Sequence, residues 1–307
     1  MSWNEARIHA WLSQQPRPQG LYGSAMHDAA VLESMKGWPT VCVDQCVEGV
    51  HAVEGIAPSK LATKVVLRTL SDLAATAAYP RAVVLAIAAP RHATDTELRA
   101  AIRAARNAAQ QYGCDLVAGD LSATDGPWQV TASALGESRV PTPPGRDRAQ
   151  VGDALLVTGA LGGSILARHL KPVPRFSTSY LAMEHGAHAL MDVSDGLVLD
   201  ASRIAAASQV HLRLELARIP VHTDARKLAA RDGMPPLEHA LRDGEDHELL
   251  VCIAAAKADA LCAASASAGV PLTRIGSVHK GHGLALQRHD GTLEPTRPAA
   301  GGWIHGG

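Results

Sequence analysis

Residues 191–197 read Met191-Asp192-Val193-Ser194-Asp195-Gly196-Leu197 and carry two acids at the end of a short apolar run. The segment that follows Gly196 is Ala-rich and has the composition of a helix. The stretch therefore predicts a turn that holds Asp192 and Asp195 between a strand and a helix. Acids in such turns are common as helix caps, so these seven residues alone do not establish a functional site.

Other acids lie in similar places, at the ends of apolar runs or within an apolar helical segment. They are Asp28, Asp44, Asp72, Asp120, Glu245 and Asp246. Each one alone is equally well explained as a turn former or a cap. As a group, they are carboxylates without His or Cys partners at fixed spacing, which is the ligand type that Mg²⁺ prefers. Because Mg²⁺ held in this way commonly bridges to phosphates, the group predicts a site for a nucleotide or another phosphorylated substrate.

A glycine-rich stretch, Thr158-Gly159-Ala160-Leu161-Gly162-Gly163-Ser164, follows one predicted strand and opens a predicted helix. Backbone N–H groups in this position can hold an anion, although a tight turn needs glycine in any case. The sequence has no Walker A pattern, no kinase glycine-rich loop and no convincing dinucleotide fingerprint. The interpretation of nucleotide binding therefore depends on the acids.

Short strand-like runs alternate along the chain with longer Ala-rich helical segments. The predicted strands are Thr40–Val43, Val83–Ala89, Gln129–Leu135, Ala154–Val157, Val210–Leu216 and Glu248–Ile253. The predicted helices run from a cap at Ser59 to Ala75, from a capping box at Thr94 and Glu97 to near Gly113, onward from Gly196, and over Ala256–Ala268. This mixed order favours α+β or mixed α/β domains.

The segment Glu137–Gln150 is rich in proline and charge, as is typical of a linker. It divides the chain near residue 145, into domains of residues 1–145 and 146–307. A length of 307 residues is sufficient for two domains. Hydrophobic residues make up 47% of the chain, so a globally disordered protein is excluded.

Charge and hydropathy exclude further classes of protein. With 29 basic and 30 acidic residues the net charge is −1, so the basic footprint of a nucleic-acid-binding protein is absent. The longest apolar run, Ala82–Ala89, is far shorter than the ~18–20 residues of a membrane helix. The first residues, MSWNEARIHAWL, contain no basic stretch followed by an apolar core, so we expect no secretion signal.

The cysteine pattern points to a reducing compartment. The five cysteines, Cys42, Cys46, Cys114, Cys252 and Cys262, form no CxxC pair, so we expect a cytoplasmic protein without a disulfide framework. Cys42 and Cys46 flank Asp44 and could suggest a site for a soft metal. We interpret them instead as small buried residues of a strand.

Six short motifs follow one another along the chain. They are Asp44–His51 (D-x-x-x-E-G-V-H), Leu70–Ala75 (L-S-D-L-A-A), Ala118–Asp120 (compare G-G-D), Gly152–Gly159 (G-D…V-T-G), Asp192–Leu197 (D-x-S-D-G-L) and Gly244–Leu249 (compare G-E-D-Y-E-L). In this order they resemble the thiamine-monophosphate kinase family, within the larger group built like aminoimidazole ribonucleotide synthetase. The similarity extends over nearly the whole chain, from about Gly23 to His305.

The resemblance implies a two-domain α/β and α+β fold, with an N-terminal domain that binds ATP and Mg²⁺ and pairs in a homodimer, and a C-terminal α+β domain. It also implies direct, Mg²⁺-assisted transfer of a phosphoryl group from ATP to thiamine monophosphate, which gives thiamine diphosphate. By position it assigns several Mg²⁺ ions to Asp28, Cys42, Val43, Asp44, Asp72, Asp120, Asp192 and Asp195. It assigns ATP to Gly119, Asp120, Arg146 and Ser194, and thiamine monophosphate to His51, Glu245 and Trp303.

The sequence also departs from the family pattern. His27 stands where the family has the first of two acids, and Cys42-Val43 replaces a pair of hydroxyl residues. If a hydroxyl oxygen at that position binds the metal, the contact is lost; if only the backbone carbonyl does, it survives. These changes leave two alternatives open: a silent paralogue that binds nucleotide, and an enzyme of the same group that acts on another small phosphate. A selenophosphate synthetase is disfavoured because no cysteine precedes Cys42, and a hydrogenase-maturation dehydratase because the chain ends in glycine.

Overall fold

The chain divides into two compact units. The structure is a computed structural model that describes residues 2–22 and 29–296. Unit 1 comprises the described residues up to Leu73 together with Ala78–Pro141, and unit 2 comprises Ala74–Ala77 and the described residues from Thr142 onward. The change of unit after Pro141 falls within the predicted linker. Glu137 and Ser138 still belong to a strand, so the connecting segment is shorter than predicted.

Unit 1 is built on a four-stranded sheet. Its elements are α1 (Glu5–Leu12), β1 (Trp38–Val47), α2 (Pro58–Ala75, whose last two residues belong to unit 2), β2 (Tyr79–Pro90), α3 (Asp95–Gln110), β3 (Asp115–Thr124) and β4 (Gln129–Ser138). The strand order is β1-β4-β2-β3, with β1 at one edge. Strand β4 is antiparallel to both β1 and β2, whereas β2 and β3 are parallel.

One face of this sheet is covered by α2 and the other carries exposed residues. Alternate residues of β4, such as Ala132 and Ala134, are buried. Helix α2 lies on that side, because the Thr69 hydroxyl donates to the carbonyl of Ala132. On β1 the residues of the opposite row, Val41 and Val43, are largely exposed. The sheet therefore has a helix face and an open face.

Unit 2 contains a seven-stranded sheet with a core on each side. Its elements are β5 (Asp153–Thr158), α4 (Phe176–Glu184), β6 (Ala189–Asp192), α5 (Leu197–Ser208), β7 (His211–Glu215), α6 (Thr223–Asp232), α7 (Pro236–Arg242), β8 (Leu249–Ala254), α8 (Ala258–Ser267), β9 (Leu272–His279), β10 (Gly283–Gln287) and β11 (Leu293–Pro295). The strand order is β11-β10-β7-β9-β5-β8-β6. Leu155 and Leu250 belong to one core, and their neighbours Leu156 and Val251 to the other. A strand buried on both faces needs a continuous apolar run, which is what β5 and β8 show.

The predicted strands and the capped helix occur in the structure where the sequence places them, but they begin or end at different residues. The capping box of Thr94 and Glu97 is present at the start of α3. Ser59 is not a cap, because α2 begins one residue earlier at Pro58. The helix predicted to open at the glycine-rich stretch is wrong: two short 3₁₀ turns, Ser164–Leu166 and Arg168–Leu170, follow it instead. None of the helices in the described part of the chain is both long and apolar enough to span a membrane.

Candidate active site

The motif of residues 192–197 and the motif of residues 244–249 lie side by side in unit 2. The N–H of Val193 donates to the carbonyl of Glu248 (2.7 Å), and the N–H of His247 donates to that of Val193 (2.8 Å). The N–H of Glu245 donates to the carbonyl of Ser194 (2.6 Å). Three backbone hydrogen bonds therefore bring together residues that are some 50 positions apart in the sequence.

The close approach of the two motifs requires glycine at residue 244. Its φ is +70°, and a Cβ atom there would lie 2.7 Å from the carbonyl oxygen of Ser194. Glu245 and His247 also adopt left-handed φ angles, +56° and +50°, which non-glycine residues rarely do. Such backbone strain persists only where surrounding contacts enforce it, and it is concentrated at functional sites.

Two carboxylates of this junction flank one buried imidazole. Nδ1 of His247 is 3.1 Å from Oδ2 of Asp192, and its Nε2 is 3.6 Å from Oε2 of Glu245. Burial by itself would lower the pKa of His247, but the two carboxylates outweigh it and raise the pKa to about 9. The two carboxylates therefore favour the protonated form of the ring.

A second carboxylate pair lies at the start of α5. Arg203 contacts both Asp195 (2.5 Å) and Asp200 (2.7 Å), and the N–H of Asp195 donates to Oδ2 of Asp200 (2.9 Å). Asp200 is fully buried. Burial, together with the negative charges of Asp192 and Asp195, raises its pKa to about 7. The carboxylates of this region therefore lie close enough to repel one another, as they do where a cation is bound.

The glycine-rich stretch holds anions, but they are the chain's own carboxylates. The N–H of Gly162 donates to Asp246 (2.8 Å) and that of Gly163 donates to Asp243 (2.7 Å). The hydroxyl of Ser164 donates to the carbonyl of Gly244. These N–H groups therefore fix the position of the loop that carries Glu245.

Two arginines complete the support of that loop. Arg168 donates to Asp246 (3.0 Å) and also to the carbonyl of Gly162. Arg175 forms a two-pronged contact with the buried carboxylate of Glu248, which also accepts from Thr158. Both acids are therefore paired with cations inside unit 2, as buried charges must be.

In unit 1, Asp44 and Asp72 lie on the helix side of the sheet. Asp44 on β1 is 3.4 Å from the guanidinium of Arg68 on α2. Asp72 follows Arg68 by four residues, so both side chains lie along the same face of α2. Arg68 therefore places one positive charge beside a predicted metal ligand.

Asp120 lies in the row of β3 residues that belongs to the open face. In this row Asp120 of β3 lies beside Ala86 of β2, followed by Thr131 of β4 and Gln45 of β1. Asp44 is in the neighbouring register row, which faces α2. Both residues lie within their strands, which corrects the expectation that they stand at element ends: β1 continues to Val47 and β3 to Thr124.

Gly119, Cys42 and Val43 are placed by the same sheet. A Cβ at Gly119 would lie 2.4 Å from the carbonyl oxygen of Leu85, so the parallel pairing of β2 and β3 requires glycine there. The Cys42 thiol donates to the carbonyl of Thr69 on α2. The side chain of Val43 points to the open face. Only the backbone carbonyls of these two strand residues are suited to Mg²⁺.

His51 and Arg146 lie outside these clusters. His51 follows β1 in a turn, where its Nδ1 accepts from the N–H of Val47 (3.1 Å). The carbonyl of Arg146 accepts from Ser208, the last residue of α5. The 12 residues of α5 span about 18 Å, so the structure does not bring Arg146 next to Ser194 at the other end of that helix. Asp28 and Trp303, as well as His27, lie outside the described residues.

Sequence reasoning missed three residues of the unit 2 site: Asp200, Arg203 and His247. Asp200 carries the same signal that singled out Asp72, an acid within an apolar helical segment, and could have been found by it. Arg203 and His247 carry no local signal, because their partners come from other parts of the chain.

Among residues 2–22 and 29–296, no group of three or more His, Cys, Asp and Glu side chains is arranged to hold a metal ion. A site with fewer than three protein ligands still suits Mg²⁺, because this ion usually takes one or two carboxylates together with waters and substrate phosphates rather than an all-protein cage. Asp44 and Asp72 in unit 1, and Asp192 and Asp195 in unit 2, supply hard oxygen donors of the required kind.

Comparison with known proteins identifies the class and then the family. The model of the AIR synthase related protein N-terminal domain matches residues 26–138, and that of the C-terminal domain matches residues 176–289. The chain is thus an AIR synthase related protein. It is 37% identical over 294 residues to the thiamine-monophosphate kinase of Rhodopirellula baltica, and the alignment covers 91% of this chain and 90% of that protein. The chain belongs to the thiamine-monophosphate kinase family, as the six motifs predicted.

Solved structures agree with this assignment. The thiamine-monophosphate kinase of Stenotrophomonas maltophilia superposes with a TM-score of 0.80 at 30% identity, over 96% of this chain and 99% of that one. AaThiL complexed with AMPPCP and TMP gives a TM-score of 0.77 at 25% identity, over 90% of each chain. The fold class expected from the sequence is confirmed.

Proposed function

We propose that this chain transfers the terminal phosphoryl group of ATP to the phosphate of thiamine monophosphate, which yields thiamine diphosphate and ADP. The observation that carries the proposal is the 37% identity with a thiamine-monophosphate kinase over nine-tenths of both chains. AaThiL has been solved with AMPPCP, an analogue of ATP, and with TMP. The acceptor is already an anion at neutral pH, so the reaction depends on positioning and charge neutralisation more than on a general base.

The metal part of the proposal follows from the donor set. In unit 1, Asp44, Asp72 and the backbone carbonyls of Cys42 and Val43 would hold Mg²⁺, while Asp120, which lies on the opposite face of the same sheet, would act apart from them. In unit 2, Asp192 and Asp195 would hold Mg²⁺, and Asp28 is proposed as a further ligand. Magnesium supplies positive charge that neutralises the phosphate oxygens as they approach one another. The contacts of Asp195 and Asp200 with one guanidinium, that of Arg203, support the proposal, since they gather carboxylates at the start of α5.

The substrate contacts are proposed residue by residue. Gly119, Asp120, Arg146 and Ser194 would contact ATP. His51, Glu245 and Trp303 would contact thiamine monophosphate, whose cationic thiazolium suits stacking on an indole ring. The carbonyl of Arg146 lies beside Ser208, at the end of α5 opposite to Ser194.

We further propose a cytoplasmic homodimer. The open face of the unit 1 sheet carries Val41 at 73% and Val43 at 61% exposure. The two valines belong to the same row of alternate residues on β1, and neighbouring exposed apolar side chains are a feature of protein interfaces. Free thiols at all five cysteines are compatible with a reducing compartment.

Product analysis tests the activity directly. The protein is incubated with ATP, Mg²⁺ and thiamine monophosphate, and thiamine diphosphate is quantified by chromatography. Formation of thiamine diphosphate with release of one ADP per product is the expected result. ATP binding without product from thiamine monophosphate or any other small phosphate would instead favour a silent paralogue, for which the contact of Arg68 with Asp44 is the supporting observation.

A further inference from the structure

His247 lies between a proposed metal ligand and a proposed substrate contact. Its side chain is 2% exposed, with Nδ1 3.1 Å from Asp192 and Nε2 3.6 Å from Glu245. Nε2 makes no direct hydrogen bond, although it is buried. The ring is hydrogen-bonded to Asp192 through Nδ1 and lies within ion-pair distance of Glu245 through Nε2, so it stands between the two carboxylates.

The backbone of this segment strengthens the argument. His247 holds a left-handed φ of +50°, and its N–H donates to the carbonyl of Val193, next to Asp192. Both the ring and the main chain of His247 are therefore hydrogen-bonded at the end of β6, the ring to Asp192 and the N–H to Val193. Strain of this kind is retained where the placement of a side chain matters.

We propose that His247 is a positioning residue that sets Asp192 for Mg²⁺ through Nδ1 and Glu245 for thiamine monophosphate through Nε2. The inference rests on the proposed kinase function. Partners that orient metal-binding carboxylates usually matter about 10- to 100-fold for metal affinity. The motif that this segment resembles has tyrosine here, which offers one hydroxyl where the imidazole of His247 presents two nitrogens.

The two ring nitrogens can be tested separately. The amide nitrogen of asparagine replaces Nδ1, and that of glutamine replaces Nε2. In His247→Asn we expect the dissociation constant for Mg²⁺ to stay near that of the unmutated protein, while that for thiamine monophosphate rises about tenfold. In His247→Gln we expect the reverse, with Mg²⁺ binding weakened about 10- to 100-fold. Both constants are measured by calorimetry, with an ATP analogue present for the Mg²⁺ titration.

His188→Asn is the control, because His188, although less buried than His247, is also a histidine whose Nδ1 lies within hydrogen-bond distance of a carboxylate, that of Asp153 (2.8 Å). It should leave both constants unchanged. A crossed pattern in the two His247 variants supports the inference, since a purely structural role would weaken both constants together. Equal losses in both variants, or no losses, would overturn it. Failure of the unmutated protein to make thiamine diphosphate would overturn the proposed function, and this inference with it.

Discussion

At the scale of single residues, Asp72 gives the most direct test of the metal proposal. It lies on the same face of α2 as Arg68, which contacts Asp44. Asp72→Asn keeps the shape of the side chain and removes its charge. We expect kcat to fall at least about 100-fold, which corresponds to roughly 3 kcal/mol of lost charge stabilisation. Circular dichroism should show an unchanged fold. Asp259→Asn, at an exposed acid of α8, is the control, and equal turnover in the two variants would remove Asp72 from the site.

Asp246 makes a prediction about pH and stability. Burial, opposed by the N–H of Gly162 and by Arg168, raises the pKa of Asp246 to about 7. Its folded-state pKa lies above its unfolded value, so its contribution to stability is complete at low pH and is lost as the pH rises through 7. Between pH 5 and pH 8 this loss amounts to about 2–3 kcal/mol. Urea unfolding should therefore show a smaller decline over this range in Asp246→Asn than in the unmutated protein. Identical declines would mean that Asp246 is ionised throughout.

At the scale of elements, the turn of residues 244–247 depends on one glycine. Gly244→Ala combines a left-handed backbone with a Cβ 2.7 Å from the carbonyl oxygen of Ser194. We expect it to lower the free energy of unfolding by at least about 3 kcal/mol. Gly233→Ala is the matched control, since its φ is +79° but nothing lies within 4 Å of its Cβ position. There we expect only the backbone strain, about 1–2 kcal/mol. Equal losses would show that strain alone, and not the close approach, is responsible.

Local signals and long-range pairing account for what the sequence could and could not predict. The capping box of Thr94 and Glu97 lies within four residues, so it is visible in the sequence and present in the structure. The face of the sheet on which Asp44 or Asp120 lies depends on how β1 and β3 pair with β4 and β2. No local sequence pattern contains that pairing. Likewise, the anions held by Gly162 and Gly163 come from residues some 80 positions away. A glycine-rich turn predicts that an anion is bound, but not whether the anion is a ligand or a carboxylate of the chain itself.

At the scale of the whole molecule, the open face of unit 1 predicts how two copies associate. Val41 is exposed on a sheet whose other side is covered by α2, and a second copy would remove such a surface from water. Val41→Lys would place a charge in that interface. We expect the dimer to dissociate with a Kd at least about thirtyfold higher, or roughly 2 kcal/mol. Sedimentation velocity over a concentration series measures this change.

Val151→Lys provides the comparison that separates an interface from a general effect of charge. Val151 is also an exposed valine, at 61%, but it lies in a turn of unit 2 before β5. A lysine there adds the same charge without entering the sheet face, so the dimer should keep its affinity. If both variants weaken association equally, net charge rather than the open face controls it. If neither does and the protein sediments as a monomer throughout, the exposed valines of β1 do not form the proposed interface.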